Sequence, residues 1–220
     1  MGKDLKQRLI ADQACYEKLV NYVKSQISGF EIKSKKESRL MNLLSVVLFF
    51  NKRFLTSYVT TLYPCVYVPS LPWNPYRPLS RTVTLAHEYV HLYDRQRLGW
   101  LFNILYLSPQ IFALLALGAF WNPWWLLALL FLLPLPSPGR AWLEVRGYRM
   151  TAAVQWWLAR EEINTVWIEN QFTGPAYYWM FPFKKFMERR IVKAIENIKS
   201  GIILPPEIFE IKIILGVRDD

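Results

Sequence analysis

The stretch TVTLAHEYVHLYDRQR, residues Thr82–Arg97, holds both histidines of the chain, four positions apart, with a glutamate directly after the first. On a helix, positions i and i+4 share a face one turn apart. His87 and His91 can therefore offer their imidazoles to a single zinc ion, with Glu88 beside it to act on a water as general base. The competing reading is a surface helix that spells the motif by chance. The setting favours the metal site, because Ala86, Tyr89, Val90 and Leu92 supply an apolar packed face and no histidine lies elsewhere. Ser80 or Thr82 is the expected N-cap.

Directly after this helix, no residue from Leu98 to Gly139 carries a charge. That is about twice the roughly 20 apolar residues one spanning helix needs. The sequence WNPWW, Trp121–Trp125, interrupts it, and a tryptophan cluster of this kind suits an interfacial turn. Two unequal arms are expected, near 100–120 and 124–135, forming a hydrophobic hairpin that either crosses the bilayer or re-enters from one side. Arg95 and Arg97 precede it and Arg140, Arg146 and Arg149 follow, so the positive-inside rule puts both flanks on the cytoplasmic side. A core hairpin of a soluble protein would show a polar face, which these arms lack.

The chain has 220 residues and a formal net charge of +10. Such a charge points to an acidic partner, either nucleic acid or an anionic membrane surface. A nucleic-acid binder has no use for a long uncharged block, so membrane lipids are the expected partner and no nucleic acid is. Cys15 and Cys65 stand apart without a CxxC spacing and read as buried apolar residues in a reducing compartment. The first twenty residues lack an apolar signal-peptide core, and MGKDLK lacks the hydroxyl residue that favours myristoylation.

Elsewhere, Leu5, Leu9, Tyr16, Leu19, Val20, Val23 and Ile27 recur at helical spacing, predicting an amphipathic helix from Asp4 to about Ile27. EIKSKKESR reads as a solvated basic linker, and LMNLLSVVLFF as a buried or in-plane helix. A strand is expected around Tyr58–Val68, demoted to an edge or bulged strand by Pro64. Beyond the hairpin, a helix is expected from about Ala141 to Arg160. An aromatic loop at 170–185 follows, whose run Tyr177–Phe183 with Lys184 and Lys185 either rests at the membrane interface or is an ordinary packed loop. A basic amphipathic helix then packs Phe186, Ile191, Ala194, Ile195 and Ile198 on one side, ending at a glycine cap.

A catalytic zinc site takes three protein ligands and leaves a fourth position for water. The metzincin pattern would need Gly at 94 and a ligand at 97, where this chain has Asp94 and Arg97. The third ligand must be a carboxylate. Glu144, in EVRGYR just beyond the hairpin, is the first after Asp94, and a hairpin returns it to the same membrane face. Glu161, Glu162 and Glu169 follow in contexts that ask for no ligand. The alternative for Glu144 is a surface pair with Arg140 or Arg149.

HEYVHLYDR, then an apolar hairpin, then EVRGYR resembles the gluzincin membrane zinc metallopeptidases of the HtpX/Ste24 type, over about a third of the chain. That resemblance implies an α+β, predominantly helical fold. It would have a zincin-like core of active-site helix and small edge sheet, with the hydrophobic hairpin inserted. It implies zinc held by His87, His91 and Glu144, with Glu88 driving a zinc-bound water onto a peptide bond of a polypeptide substrate. Gly147 matches the family's small residue and Arg149 its arginine. Tyr148 stands where the family has an aspartate, so outer support for a histidine would fall to Asp94 or Tyr148. Oxyanion help would come from Tyr148 or Arg149. A substrate strand would pair with the edge strand.

The expected organisation is an N-terminal helix over 1–30, a zincin-like half over 31–99, a membrane hairpin over 100–138, and a third-ligand and basic aromatic region over 139–220. The site and both termini are expected on the cytoplasmic side of a membrane, with homo-oligomerisation left open. The other reading is a catalytically silent membrane-anchored protein that keeps the fold, as a subunit of a large assembly.

Overall fold

The computed structural model describes residues 3–47, 51–74, 77–160, 163–174, 179–201 and 204–217. It is mostly helical, with one small three-stranded sheet. The chain divides into two compact units, one of Met1–Tyr93 with Pro205–Asp220 and one of Asp94–Leu204.

In the first unit, α1 (Lys3–Gln26) buries Leu19 and Val23, with Ile27 and Phe30 just beyond its end. The segment expected to be a solvated basic linker instead opens with β1 (Glu31–Ser34). It pairs in parallel with β3 (Cys65–Val68), Glu31 facing Cys65 and Ser34 facing Val68. β2 (Thr60–Leu62) runs antiparallel along the other side of β3. The single strand expected over Tyr58–Val68 is therefore a tight hairpin. Pro64, which has no N–H for a ladder, sits in its turn, and β3 is the central strand, with β2 at the edge.

The linker reading failed because Lys35 is fully buried. Its ammonium donates to the carbonyl of Phe54 at 2.8 Å and lies 4.0 Å from the Phe54 ring centroid. A lysine so satisfied can enter a core that its charge alone would forbid. α2 (Arg39–Val47) covers this region, with Met41 joining Phe54, Cys65 and Tyr67 in one cluster. The last residues of LMNLLSVVLFF lie outside the described residues.

α3 (Pro78–Leu98) carries the histidines. It begins earlier than expected, with Pro78 in the first turn, where a missing N–H costs nothing. Thr82 is not its cap but an interior residue whose hydroxyl donates to the Pro78 carbonyl. Leu85, Ala86, Tyr89, Val90 and Leu92 are all buried, as the motif's apolar face requires. Arg81 bonds Gln13 of α1 and lies 4.3 Å from the Tyr16 ring centroid. α8 (Pro206–Ile214) completes this unit with Ile208 and Ile211 buried.

The second unit begins in the last turn of α3. α4 (Trp100–Leu107) is followed by two 3-10 helices, Gln110–Phe120 and Pro123–Leu132. The first arm is thus not one helix: α4 and the 3-10 segment meet at 89° around Ser108 and Pro109. Among the described residues no single helix is long and apolar enough to cross a membrane. The two 3-10 helices lie against each other, with Phe112 and Phe131 rings 5.5 Å apart. A Cβ on Gly118 would come within 2.8 Å of the Trp125 ring, so only glycine allows that approach.

α5 (Pro138–Ala159), α6 (Thr165–Thr173) and α7 (Lys184–Ser200) pack as a helical group. α7 buries Met187, Ile191, Ala194, Ile195 and Ile198 and ends on Gly201 in the left-handed region, φ 67°. Phe186, expected on that buried side, is exposed, and Met187 takes its place. The Phe186 ring instead meets Phe181 and Arg190. Part of the aromatic loop, 175–178, lies outside the described residues. Its end is tied to the hairpin's base, where Ser137 donates its N–H to the Met180 carbonyl and its hydroxyl to the Ser108 carbonyl.

Candidate metal centre

Helix α3 turns both histidines the same way, and their Nε2 atoms lie 3.1 Å apart. Two ligands on a tetrahedral zinc, with bonds of about 2.0–2.1 Å, are separated by roughly 3.3 Å. The pair is already at the spacing a shared ion needs. His87, His91 and Glu144 each offer one ligand atom, all within 4.8 Å of one another, and all three residues are buried. Two imidazoles and a carboxylate form a donor set that suits zinc and other first-row divalent ions. This buried group can hold a metal ion.

Glu88, almost fully buried, accepts a 2.6 Å hydrogen bond at Oε2 from the Thr61 hydroxyl. Thr61 is the middle residue of edge strand β2, so the strand that borders the histidine helix also fixes the glutamate. Lys35 supplies positive charge nearby. Burial pushes its ammonium down to about 8, while the Glu88 carboxylate opposes that fall by favouring the charged form.

The Tyr106 hydroxyl donates at 2.7 Å to Oε1 of Glu144. Arg140 lies 5.0 Å from the Tyr106 ring centroid. Two positions beyond Glu144, Arg146 Nε reaches both Asp94 oxygens, at 3.2 and 2.9 Å. Asp94 is buried, so this pair works in a low-dielectric setting.

Tyr148 lies one turn beyond Glu144 on α5 and is buried. Its ring packs edge-on to Trp167 at 5.8 Å and Phe172 at 5.5 Å, a core position between α5 and α6. With Arg149 it lines a small cavity shared with Ile168 and Ile191. Glu169 is buried and paired with Lys184 at 3.3 Å, while Glu161 and Glu162 lie outside the described residues.

Thr61, Lys35, Tyr106 and Arg146 escaped the sequence reading as parts of the site. Tyr106 had a usable signal, being a hydroxyl-bearing residue in a block without charge. Thr61 and Lys35 had none, because β-pairing brings them to Glu88 across long stretches of chain. Comparison of the chain with protein-family models, curated proteins and solved structures finds no match.

Proposed function

We propose that this chain is a membrane-associated metallopeptidase with a zincin-like site, His87, His91 and Glu144 holding zinc and Glu88 acting as general base. The observation that carries the reading is the buried group of two imidazoles and one carboxylate, with a second glutamate next to the first histidine. When bound, zinc would polarise a carbonyl and make water acidic enough to deprotonate near neutral pH. Glu88 takes the proton of the attacking water and delivers it to the leaving amine. Thr61 holds the Glu88 carboxylate in one orientation, so the base does not have to be ordered during the reaction. β2, at the edge of the sheet, is the strand with which an extended polypeptide would pair.

The hairpin supports the membrane part of the reading. Trp100, Phe120, Trp121 and Trp124 are more than two-thirds exposed, and leucines along both arms are about half exposed. Fully burying such a side chain is worth roughly 1.5–3 kcal/mol and burying the exposed half of a leucine about half of that, so a bilayer is the environment that would stabilise this surface. At about 2.0 Å rise per residue, the 3-10 helices reach roughly 20 Å, short of the roughly 30 Å hydrocarbon core. That length favours a re-entrant hairpin, with its flanks on one side.

Metal analysis and casein cleavage of wild type, His87→Ala, Glu144→Ala and Glu88→Gln, all in lipid nanodiscs, test the proposal. Zinc near one equivalent is expected in wild type and Glu88→Gln, with cleavage lost in the latter. Loss of zinc is expected in the other two. Wild type without zinc, prepared free of chelator, overturns the reading. Zinc without cleavage in wild type selects the silent, membrane-anchored protein.

A further inference from the structure

α4 has two faces with different surroundings. Trp100, Ile104 and Leu107 recur at spacings of four and three, Leu101 is next to Trp100, and all four are exposed. Phe102 and Tyr106, on the other side, are partly buried and stack with centroids 5.6 Å apart. From this inner face the Tyr106 hydroxyl reaches Glu144 on α5. The seat is close: a Cβ on Gly139, in the first turn of α5, would lie 2.8 Å from the Leu105 carbonyl oxygen. Arg140, on the next position, covers the Tyr106 ring. An uncharged helix at the start of the hairpin therefore holds a residue of the candidate metal centre.

Resting on the metal-site reading above, we propose that Tyr106 is the positioning residue for Glu144, and that lipid contact on the outer face of α4 keeps it there. Metal affinity then depends on the bilayer. A carboxylate ligand whose orientation is fixed by a hydrogen-bond donor is preorganised for its ion, and loss of such a partner typically weakens affinity 10–100-fold. The occupant of the outer face is a phospholipid bilayer. The apolar face is continuous with the exposed 3-10 helices, and cations flank it on both sides at Arg95, Arg97 and Arg140. Arg95 lies 5.3 Å from the Trp100 ring centroid, a cation and an aromatic side by side as at a headgroup boundary.

The test is zinc affinity, measured by competition with a chromophoric chelator for protein in nanodiscs of mixed zwitterionic and anionic phospholipid. Tyr106→Phe keeps the ring and removes only the donor. It is expected to bind zinc about tenfold more weakly, with the melting temperature of the metal-free protein unchanged. Ile104→Gln, on the outer face, is expected to weaken zinc binding too. In the Tyr106→Phe background Ile104→Gln should add nothing, because both act through one contact. Equal affinity of Tyr106→Phe and wild type overturns the positioning role while leaving the metal site standing. An Ile104→Gln effect that is absent, or that adds fully to Tyr106→Phe, overturns the lipid coupling. Failure of wild type to bind zinc overturns this inference and the metal-site reading together.

Discussion

The hydroxyl of Thr61 and the carboxylate of Glu88 meet at 2.6 Å across 27 positions of sequence, joining the edge strand to the histidine helix. A hydrogen bond to a charged group contributes about 1.5–3 kcal/mol. Thr61→Val is isosteric and removes the donor. It should cut casein cleavage about tenfold or more by lowering kcat, with zinc content unchanged, while Thr61→Ser restores most of the loss. Full activity in Thr61→Val would show that Glu88 is held by something else.

Asp94, which is buried, pairs with the partly exposed Arg146, so removing the arginine would leave the carboxylate buried without this partner. Arg146→Met, which leaves the buried Asp94 carboxylate behind, should lower stability by about 3 kcal/mol, read from chemical denaturation. The double replacement Asp94→Leu with Arg146→Met should recover most of it, since an apolar pair carries no desolvation cost. A double variant as unstable as the single would assign the loss to packing rather than charge.

Lys35 makes stability depend on pH with a defined sign. Its ammonium titrates at about 8 in the fold against an ordinary 10.5, because burial disfavours the charged form. Below pH 8 the full cost of keeping it charged is present. Between about 8 and 10.5 the unfolded chain holds the proton that the folded chain has released, so this group's contribution rises with pH. The stability difference, wild type minus Lys35→Met, should therefore become more positive across that window. A flat difference would mean that the lysine titrates normally.

Gly118 is a spacing residue for the hairpin, since any Cβ there meets the Trp125 ring at 2.8 Å. Gly118→Val should force the two 3-10 helices apart. Spin labels at Leu115 and Leu129, both exposed, should report a longer distance, and Trp125→Ala in the same chain should shorten it again. An unchanged distance in Gly118→Val would show that the arms yield without separating.

The parts legible in the sequence were those written in local periodicity. α1, α3, α5 and α7 appear where apolar residues recur at helical spacing. The histidine pair was readable because one helical turn brings His87 to His91 without help from the rest of the chain. Long-range pairing was not readable. β1 looked like a linker because Lys33, Lys35 and Lys36 advertise solvent, and only its pairing with Val66 and Tyr67 reveals a strand. The hairpin was recognised by lack of charge, but its 3-10 geometry and the 89° bend are not properties of composition. Glu144 was reachable by elimination of other ligands. Its tyrosine partner, 38 positions earlier, was not.

Tyr22 of α1 donates at 2.6 Å to Glu210 of α8, and its hydroxyl lies 3.4 Å from that of Tyr89 on the histidine helix. Burial and the Glu210 carboxylate push the Tyr22 phenol up to about 12, so the bond persists well above neutral pH. The two partners are 188 positions apart. At roughly 5–20 residues per second on the ribosome, Glu210 is made about 10–40 seconds after Tyr22. The uncharged hairpin emerges well inside that interval. During synthesis the uncharged segment is therefore presented first, and the helix bearing the histidines gains its last buttress only when α8 arrives. A nascent chain stalled before Pro205 would carry the whole uncharged stretch while α1 and the histidine helix still lacked the partner that Glu210 supplies.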